Sequence, residues 1–302
     1  MTTQLEVSDI IGAADSFPVQ YKTTQIEGLD IFYREAGDPD NPTILLLHGF
    51  PTSSFMFREL IPLLALDYHV VAPDYPGFGL SSAPPASQWN YTFDHLYEVI
   101  HAFTHQLGLD SYSLYMQDYG GPVGFRLASR HPEKVQALII QNSNAYEEGL
   151  TEAGLPLKTF GETGDPKVGA VLEEFLTLEM TRFQFLEGAA HPERVSPDNW
   201  LVVQPLLDRT GNKEIQMALF RDYASNVAAY PSWHEYLRRS QPPVLVTWGQ
   251  NDPIFSTKNV DELQRDVHNI EVHLLDGGHF ALDEYPGEIA AFMRAFLAKN
   301  IR

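Results

Sequence analysis

The sequence predicts an α/β fold: a mostly parallel central sheet flanked by helices, with a helical cap inserted late in the chain. Three observations predict it. Short apolar runs rich in branched residues alternate with helix-patterned stretches, the arrangement expected where strands are buried on both faces of a parallel sheet. One long stretch between two such runs carries helical patterns and no convincing strand. The 302 residues are enough for one large α/β domain bearing an insertion.

In chain order, the first signal is a pair of strand-like segments, 21–27 and 29–35, flanking Gly28, which predicts an antiparallel hairpin at the sheet edge. Segments 43–47, 69–72, 113–116 and 135–141 then read as buried parallel strands, and 244–248 and 270–274 resume the pattern. This divides the chain into a core domain, residues 1–143 and 240–302, and a cap, residues 144–239. Within the cap, 167–187, 197–209 and 213–226 read as helices. Segment 155–165, punctuated by prolines and Gly or Asp turn positions, reads as a mobile connection. No repeat or low-complexity tract interrupts the pattern.

The 20 basic against 40 acidic side chains, a formal net charge of −20, argue against nucleic acid or an anionic membrane surface as a partner. The chain has no cysteine, so disulfides, thiolate catalysis and cysteine metal sites are excluded. Residues 1–20 contain Glu6, Asp9 and Asp15 and lack the basic and apolar regions of a signal peptide. No apolar run approaches the roughly 20 residues of a membrane-spanning helix. A soluble, cytoplasmic protein is expected.

The chemistry centres on Asp118, where the run Ser113-Leu114-Tyr115-Met116-Gln117 breaks into Asp118-Tyr119-Gly120-Gly121 and a helix pattern follows. A carboxylate at a sharp strand-to-helix turn stands exposed at the sheet edge. No G-x-S-x-G occurs, so the attacking group would be this aspartate. His279, in the glycine-bearing loop after the last strand, is the candidate general base. Asp252, after the preceding strand, is the candidate that orients its imidazole, with Asp276 and Asp283 as nearby competitors. The segment Leu47-His48-Gly49-Phe50 follows an early strand, so the backbone N–H groups of Phe50 and Tyr119 are the candidate oxyanion hole. The remaining histidines show no metal-ligand spacing, and no metal or cofactor is expected.

His48-Gly49-Phe50-Pro51, Asp74-Tyr75-Pro76-Gly77-Phe78-Gly79, Gln117-Asp118-Tyr119-Gly120-Gly121 and Gly277-Gly278-His279-Phe280 resemble the epoxide hydrolase and haloalkane dehalogenase branch of the α/β-hydrolases. The resemblance spans about residues 21–297. It implies attack by the carboxylate on a saturated carbon and hydrolysis of the resulting ester by water that His279 activates. Dehalogenases of the branch commonly carry asparagine after the His-Gly and tryptophan after the nucleophile, and here those positions hold Phe50 and Tyr119. The H-G-x-P form and the segment Tyr223-Ala224-Ser225-Asn226 resemble epoxide hydrolases, which makes Tyr223 the candidate proton donor.

Tyr230, two helical turns on, is the fallback if the helix reaches it. Gln117 before Asp118 instead resembles the dehalogenases, and the usual second cap tyrosine has no evident counterpart, since no tyrosine lies between Tyr146 and Tyr223. Tyr146 reads as an anchor of the cap hinge. The expected reaction is hydrolysis of a small hydrophobic epoxide by water to a vicinal diol. Haloalkane dehalogenation is the alternative, and a non-catalytic ligand-binding relative is a third reading. Phe175, Phe183, Phe185, Trp200 and Phe220 suggest an apolar substrate pocket.

Overall fold

A computed structural model describes residues 17–301. Its strands are β1 (Gln20–Ile26), β2 (Leu29–Ala36), β3 (Thr43–Leu47), β4 (His69–Pro73), β5 (Tyr112–Gln117), β6 (Val135–Gln141), β7 (Val244–Gly249) and β8 (Ile270–Leu275). They form one sheet in the order β1-β2-β4-β3-β5-β6-β7-β8. β2 runs antiparallel to both β1 and β4, and every later pairing is parallel. The expected edge hairpin is present. Glu27 and Gly28 both take positive φ, 52° and 85°, as a two-residue hairpin turn matched to strand twist requires.

Every residue of β3, β4, β5 and β7 is buried, which is why these strands read as continuous apolar runs without alternation. The chain passes from β3 to β4 on one side and then crosses to β5 on the other. The topological switch therefore falls between β3 and β5, where open α/β sheets leave a crevice beyond the strand ends. Leu47 ends β3 and Gln117 ends β5, and the two strands are in register up to Leu47 opposite Met116. Phe50 and Asp118 thus emerge side by side.

Between β6 and β7 the described chain contains helices and no sheet strand: Leu155–Thr163, Pro166–Glu174, Leu178–Leu186, Asp198–Leu207 and Asn212–Ser240. Three expectations need correction here. Segment 155–165 is not a mobile connection but a helix to Thr163. Its Pro156 lies in the first turn, where a missing N–H costs no hydrogen bond, and Gly164 (φ 65°) ends it. Segment 167–187 is two helices, parted where the Thr177 hydroxyl caps the second by accepting from the Met180 N–H. The helix expected over 213–226 continues to Ser240, 29 residues in all, with Pro231 in its interior.

That long helix lies against the helix Gly120–Arg130, which follows β5. Trp233 stacks on Phe125 at 5.2 Å. The buried Arg126 guanidinium donates from Nη1 to the Asn226 Oδ1 (2.8 Å) and the Pro122 carbonyl (3.1 Å), and from Nε to Asp94 (2.6 Å). Apolar contact and a charge-assisted tie therefore fix the long helix above the end of β5. No helix among the described residues is long and apolar enough to cross a membrane.

Candidate active site

Asp118 follows β5 directly and takes a left-handed backbone conformation, φ 48°, uncommon for a residue with a side chain. The turn is pinned. The Asp118 carbonyl accepts from the Gly121 N–H at 2.9 Å and the Ser143 hydroxyl at 2.8 Å. A Cβ on Gly120 would run into the Leu47 carbonyl oxygen, and one on Gly121 into the Ser143 hydroxyl. The paired glycines thus let the helix descend against neighbouring backbone and leave the aspartate projecting at the strand tip.

The two carboxylate oxygens of Asp118 have different surroundings. Oδ1 accepts from the Phe50 N–H at 2.6 Å, and the Tyr119 N–H also favours the ionised form. Oδ2 lies 3.9 Å from His279 Nε2, too far for a hydrogen bond. Burial pushes the carboxyl up to about 6, against the lowering effects of His279 and the two backbone donors.

His279 is completely buried, and its Nδ1 meets Asp252 Oδ2 at 2.8 Å. Asp252 is well satisfied: Oδ1 accepts from the Ile254 and Phe255 N–H groups at 2.7 and 3.2 Å, and Oδ2 also accepts from Asn142 Nδ2 at 2.8 Å. With Nδ1–H donated to this fixed carboxylate, Nε2 is left as an acceptor facing Asp118. Burial disfavours the imidazolium, but the charge and hydrogen bond of Asp252, with help from Asp118, raise the His279 pKa above its ordinary value. The competitors are engaged elsewhere, Asp276 with Asn251 and Asp283 with Arg58 and Asn199.

Tyr223 and Tyr230 lie two turns apart on the long helix and are both buried. Burial lifts the Tyr223 phenol well above its ordinary value, reinforced by the Tyr230 hydroxyl and the Asp118 charge. Burial pushes Tyr230 to about 12, with Tyr223 and Asn144 acting against it. Asn144 Nδ2 donates to the Tyr230 hydroxyl at 3.0 Å. Tyr230, the fallback donor, thus lies on the same helix as Tyr223, beyond where that helix was expected to end.

Tyr146 donates to Asp266 at 2.9 Å and stacks on His234, as a hinge anchor would. Of the five aromatic residues expected at the pocket, Phe220 packs against Phe50, with ring centroids 5.1 Å apart. Phe185 stacks instead on Phe280, and Trp200 lies under Arg182.

Three side chains in this arrangement went unassigned in the sequence. Gln117 places Nε2 3.1 Å from His279 Nε2. Asn142 ties Asp252 to the Gly249 backbone through both faces of its amide. Asn144 holds Tyr230. Their position is the available signal, since Gln117 ends β5 while Asn142 and Asn144 follow β6, the neighbouring strand tip.

Residues 42–286 match the alpha/beta hydrolase fold family. This chain is an α/β-hydrolase. An uncharacterized hydrolase of Saccharomyces cerevisiae, YNR064C, is 41% identical over 97% of this chain and 100% of its own. A haloalkane dehalogenase of Psychrobacter cryohalolentis is 36% identical over 91% of this chain and 89% of its own. Haloalkane dehalogenase 2 of Mycobacterium tuberculosis is 30% identical over 83% and 86%.

In fold, the α/β-hydrolase is similar to haloalkane dehalogenase DbeA of Bradyrhizobium elkani, with TM-score 0.76 and 24% identity over 93% of this chain and 100% of that one. It is equally similar to a putative lipase of Acinetobacter baumannii, with TM-score 0.77 and 20% identity over 99% and 98%. Such different activities on one scaffold leave the chemistry to the site itself.

Proposed function

We propose that this α/β-hydrolase opens epoxides to vicinal diols through an ester on Asp118. The observation that carries the reading is the pair of buried phenols, Tyr223 and Tyr230, on the long helix, with the Phe93 ring packed edge-on to both Tyr223 (6.1 Å) and Tyr119 (4.8 Å), the residue after Asp118. Opening an oxirane creates a basic alkoxide, which needs a proton, whereas a departing halide needs only weak donors.

Asp118 Oδ2 attacks a ring carbon as the C–O bond breaks, and Tyr223 delivers its proton to the alkoxide, with Tyr230 beside it. His279 Nε2 then removes a proton from water, and the hydroxide adds to the ester carbonyl. Negative charge developing on Oδ1 meets the Phe50 and Tyr119 N–H groups, donors of a kind worth about 3 to 4 kcal/mol each in other acyl-transfer sites. Collapse expels the second diol oxygen, which takes the proton of the added hydroxyl, so the diol and the Asp118 carboxylate form together, and the proton on His279 returns to the phenolate. No cofactor enters the scheme.

Haloalkane dehalogenation is the second reading, supported by relatives bearing that name at 30–36% identity. Against it stand Phe50 and Tyr119 where that reaction calls for side-chain N–H donors to the halide. Purified protein offered terminal epoxides and, separately, small haloalkanes distinguishes the two. Diol formation without halide release supports the first reading, and halide release without diol formation overturns it. The proposed setting is cytoplasmic, with a small hydrophobic substrate and water as the partners.

A further inference from the structure

Gln216 is fully buried in the long helix, and neither its amide oxygen nor its amide nitrogen has a hydrogen-bond partner. A buried primary amide left unpaired is costly, and native structures retain few of them without a reason. Gln216 lines a small cavity of about 10 Å³ with Pro51, Phe78, Arg209 and Asn212 among its neighbours. Asn212 is also unbalanced. Its Nδ2 donates to the Leu206 and Leu207 carbonyls, which fixes the amide and leaves the buried Oδ1 without a partner. Arg209 is held by the Gly77 and Gly79 carbonyls. Three unsatisfied amide atoms thus border one space suited to a single group of water size.

The cavity is lined by none of the candidate catalytic residues, but two of its lining residues border them. Pro51 follows Phe50, whose N–H holds Asp118, and the Phe78 ring packs edge-on to Tyr119, with centroids 6.3 Å apart. Gln216, Tyr223 and Tyr230 recur every seven residues and are all buried, so they share one face of the helix. Seven residues place Gln216 about 10 Å along the helix axis from Tyr223.

We propose that Gln216 and Asn212 form a distal subsite for a hydroxyl group of the substrate. Their amides supply one free donor and two free acceptor oxygens, which suits a group that both accepts and donates. This rests on the epoxide reading and narrows it: the preferred substrate is an apolar chain with an oxirane at one end and a hydroxyl about 10 Å away.

The test compares a medium-chain terminal epoxide bearing a hydroxyl at its far end with the parent lacking it, in wild-type protein and in Gln216→Leu and Gln216→Met. Wild type should favour the hydroxylated substrate about tenfold in kcat/KM, the size of one well-made neutral hydrogen bond. Both variants should reduce that ratio to near unity. Misfolding lowers both substrates together and leaves the ratio unchanged, so circular dichroism and thermal melting accompany the kinetics.

Calorimetric binding of the corresponding product diols, with and without the far hydroxyl, reads the subsite without turnover. A preference that Gln216→Leu abolishes supports the subsite even if no epoxide is hydrolysed, in which case the reaction assignment alone falls. Equal treatment of the two ligands by folded wild type, or a preference that survives in both folded variants, overturns the subsite and indicates a cavity that holds only water.

Discussion

His279 Nε2 stands 3.9 Å from Asp118 Oδ2, while its Nδ1 is bound to Asp252 at 2.8 Å. A closer contact would bind the attacking oxygen to the base and blunt it. The separation leaves Oδ2 free to reach carbon and leaves Nε2 beside the ester that would form. In the proposed scheme the same histidine acts on water only after the carboxylate has been consumed.

Replacing His279 with Gln should therefore separate the two half-reactions. With a true substrate, one equivalent of ester should accumulate on Asp118, visible as a mass increase of the intact protein and mapped to its peptide. Turnover should cease. Absence of the adduct in the variant, combined with activity in Asp118→Asn, would overturn the covalent route.

Tyr223→Phe and Tyr230→Phe address the acid. General acid catalysis contributes typically 10²- to 10⁴-fold, so Tyr223→Phe should lower the rate of ester formation from an epoxide by about 10²-fold or more, and the double variant further. Haloalkane turnover, if any is found, should change much less. Rapid-quench mass spectrometry of the ester reports the step directly, and equal losses on both substrate classes would argue that the phenols are only packing.

Activity should fail on the acid side in two stages. Asp118 must be ionised to attack, and it protonates through about 6. His279 must be neutral to take a proton from water, and in the ester it keeps the raising effect of Asp252 while losing that of the Asp118 charge. As pH falls, ester hydrolysis is lost before ester formation, so the steady-state fraction of esterified enzyme should rise before turnover vanishes. Tyr230 at about 12 and Tyr223, lifted by burial well above its ordinary value, give no alkaline limb in the neutral to mildly basic range. A pH series of quenched-enzyme mass spectra checks the order.

Asp118 also affects stability. Burial raises its carboxyl from 3.8 to about 6, so the protonated form is the one folding favours. That contribution is complete below 3.8 and disappears as pH rises through 6. Asp118→Asn removes the buried charge, and at pH 8 it should be more stable than wild type by on the order of 3 kcal/mol. The advantage should shrink to nothing near pH 4. Denaturant titrations at the two pH values measure it.

Arg126 fixes the tyrosine-bearing helix through Asn226, which lies between Tyr223 and Tyr230. Arg126→Met should destabilise the protein by about 2 to 4 kcal/mol, because buried acceptors lose their charged donor. It should also lower kcat for epoxides more than it raises KM. An unchanged kcat in a measurably destabilised variant would show that the tie serves the fold alone.

The strands, the edge hairpin and the acid at the strand tip were legible in the sequence because each has a local cause: continuous burial, a two-residue turn and a glycine pair after Asp118. The helix carrying the tyrosines was expected to end at residue 226, and it runs on to Ser240 through Pro231. The observed helix tolerates the lost hydrogen bond while Trp233, Tyr236 and Leu237 beyond it remain buried. Asn142 and Asn144 were invisible for a different reason. Polar residues after a strand resemble any turn, and only the spatial neighbourhood of Asp252 and Tyr230 gives them a task.

The regular spacing of positions 216, 223 and 230 on one continuous helix has a consequence for how such a chain can vary. A single residue inserted between Gln216 and Tyr223 would swing one part of the helix about 100° relative to the other, so the distal amide and the phenol would no longer face the same side. Seven inserted residues would preserve the facing direction and lengthen the reach by about 10 Å. On the proposed roles the helix acts as a vernier: substitutions at its marks adjust affinity, while changes in its length redefine which molecule fits.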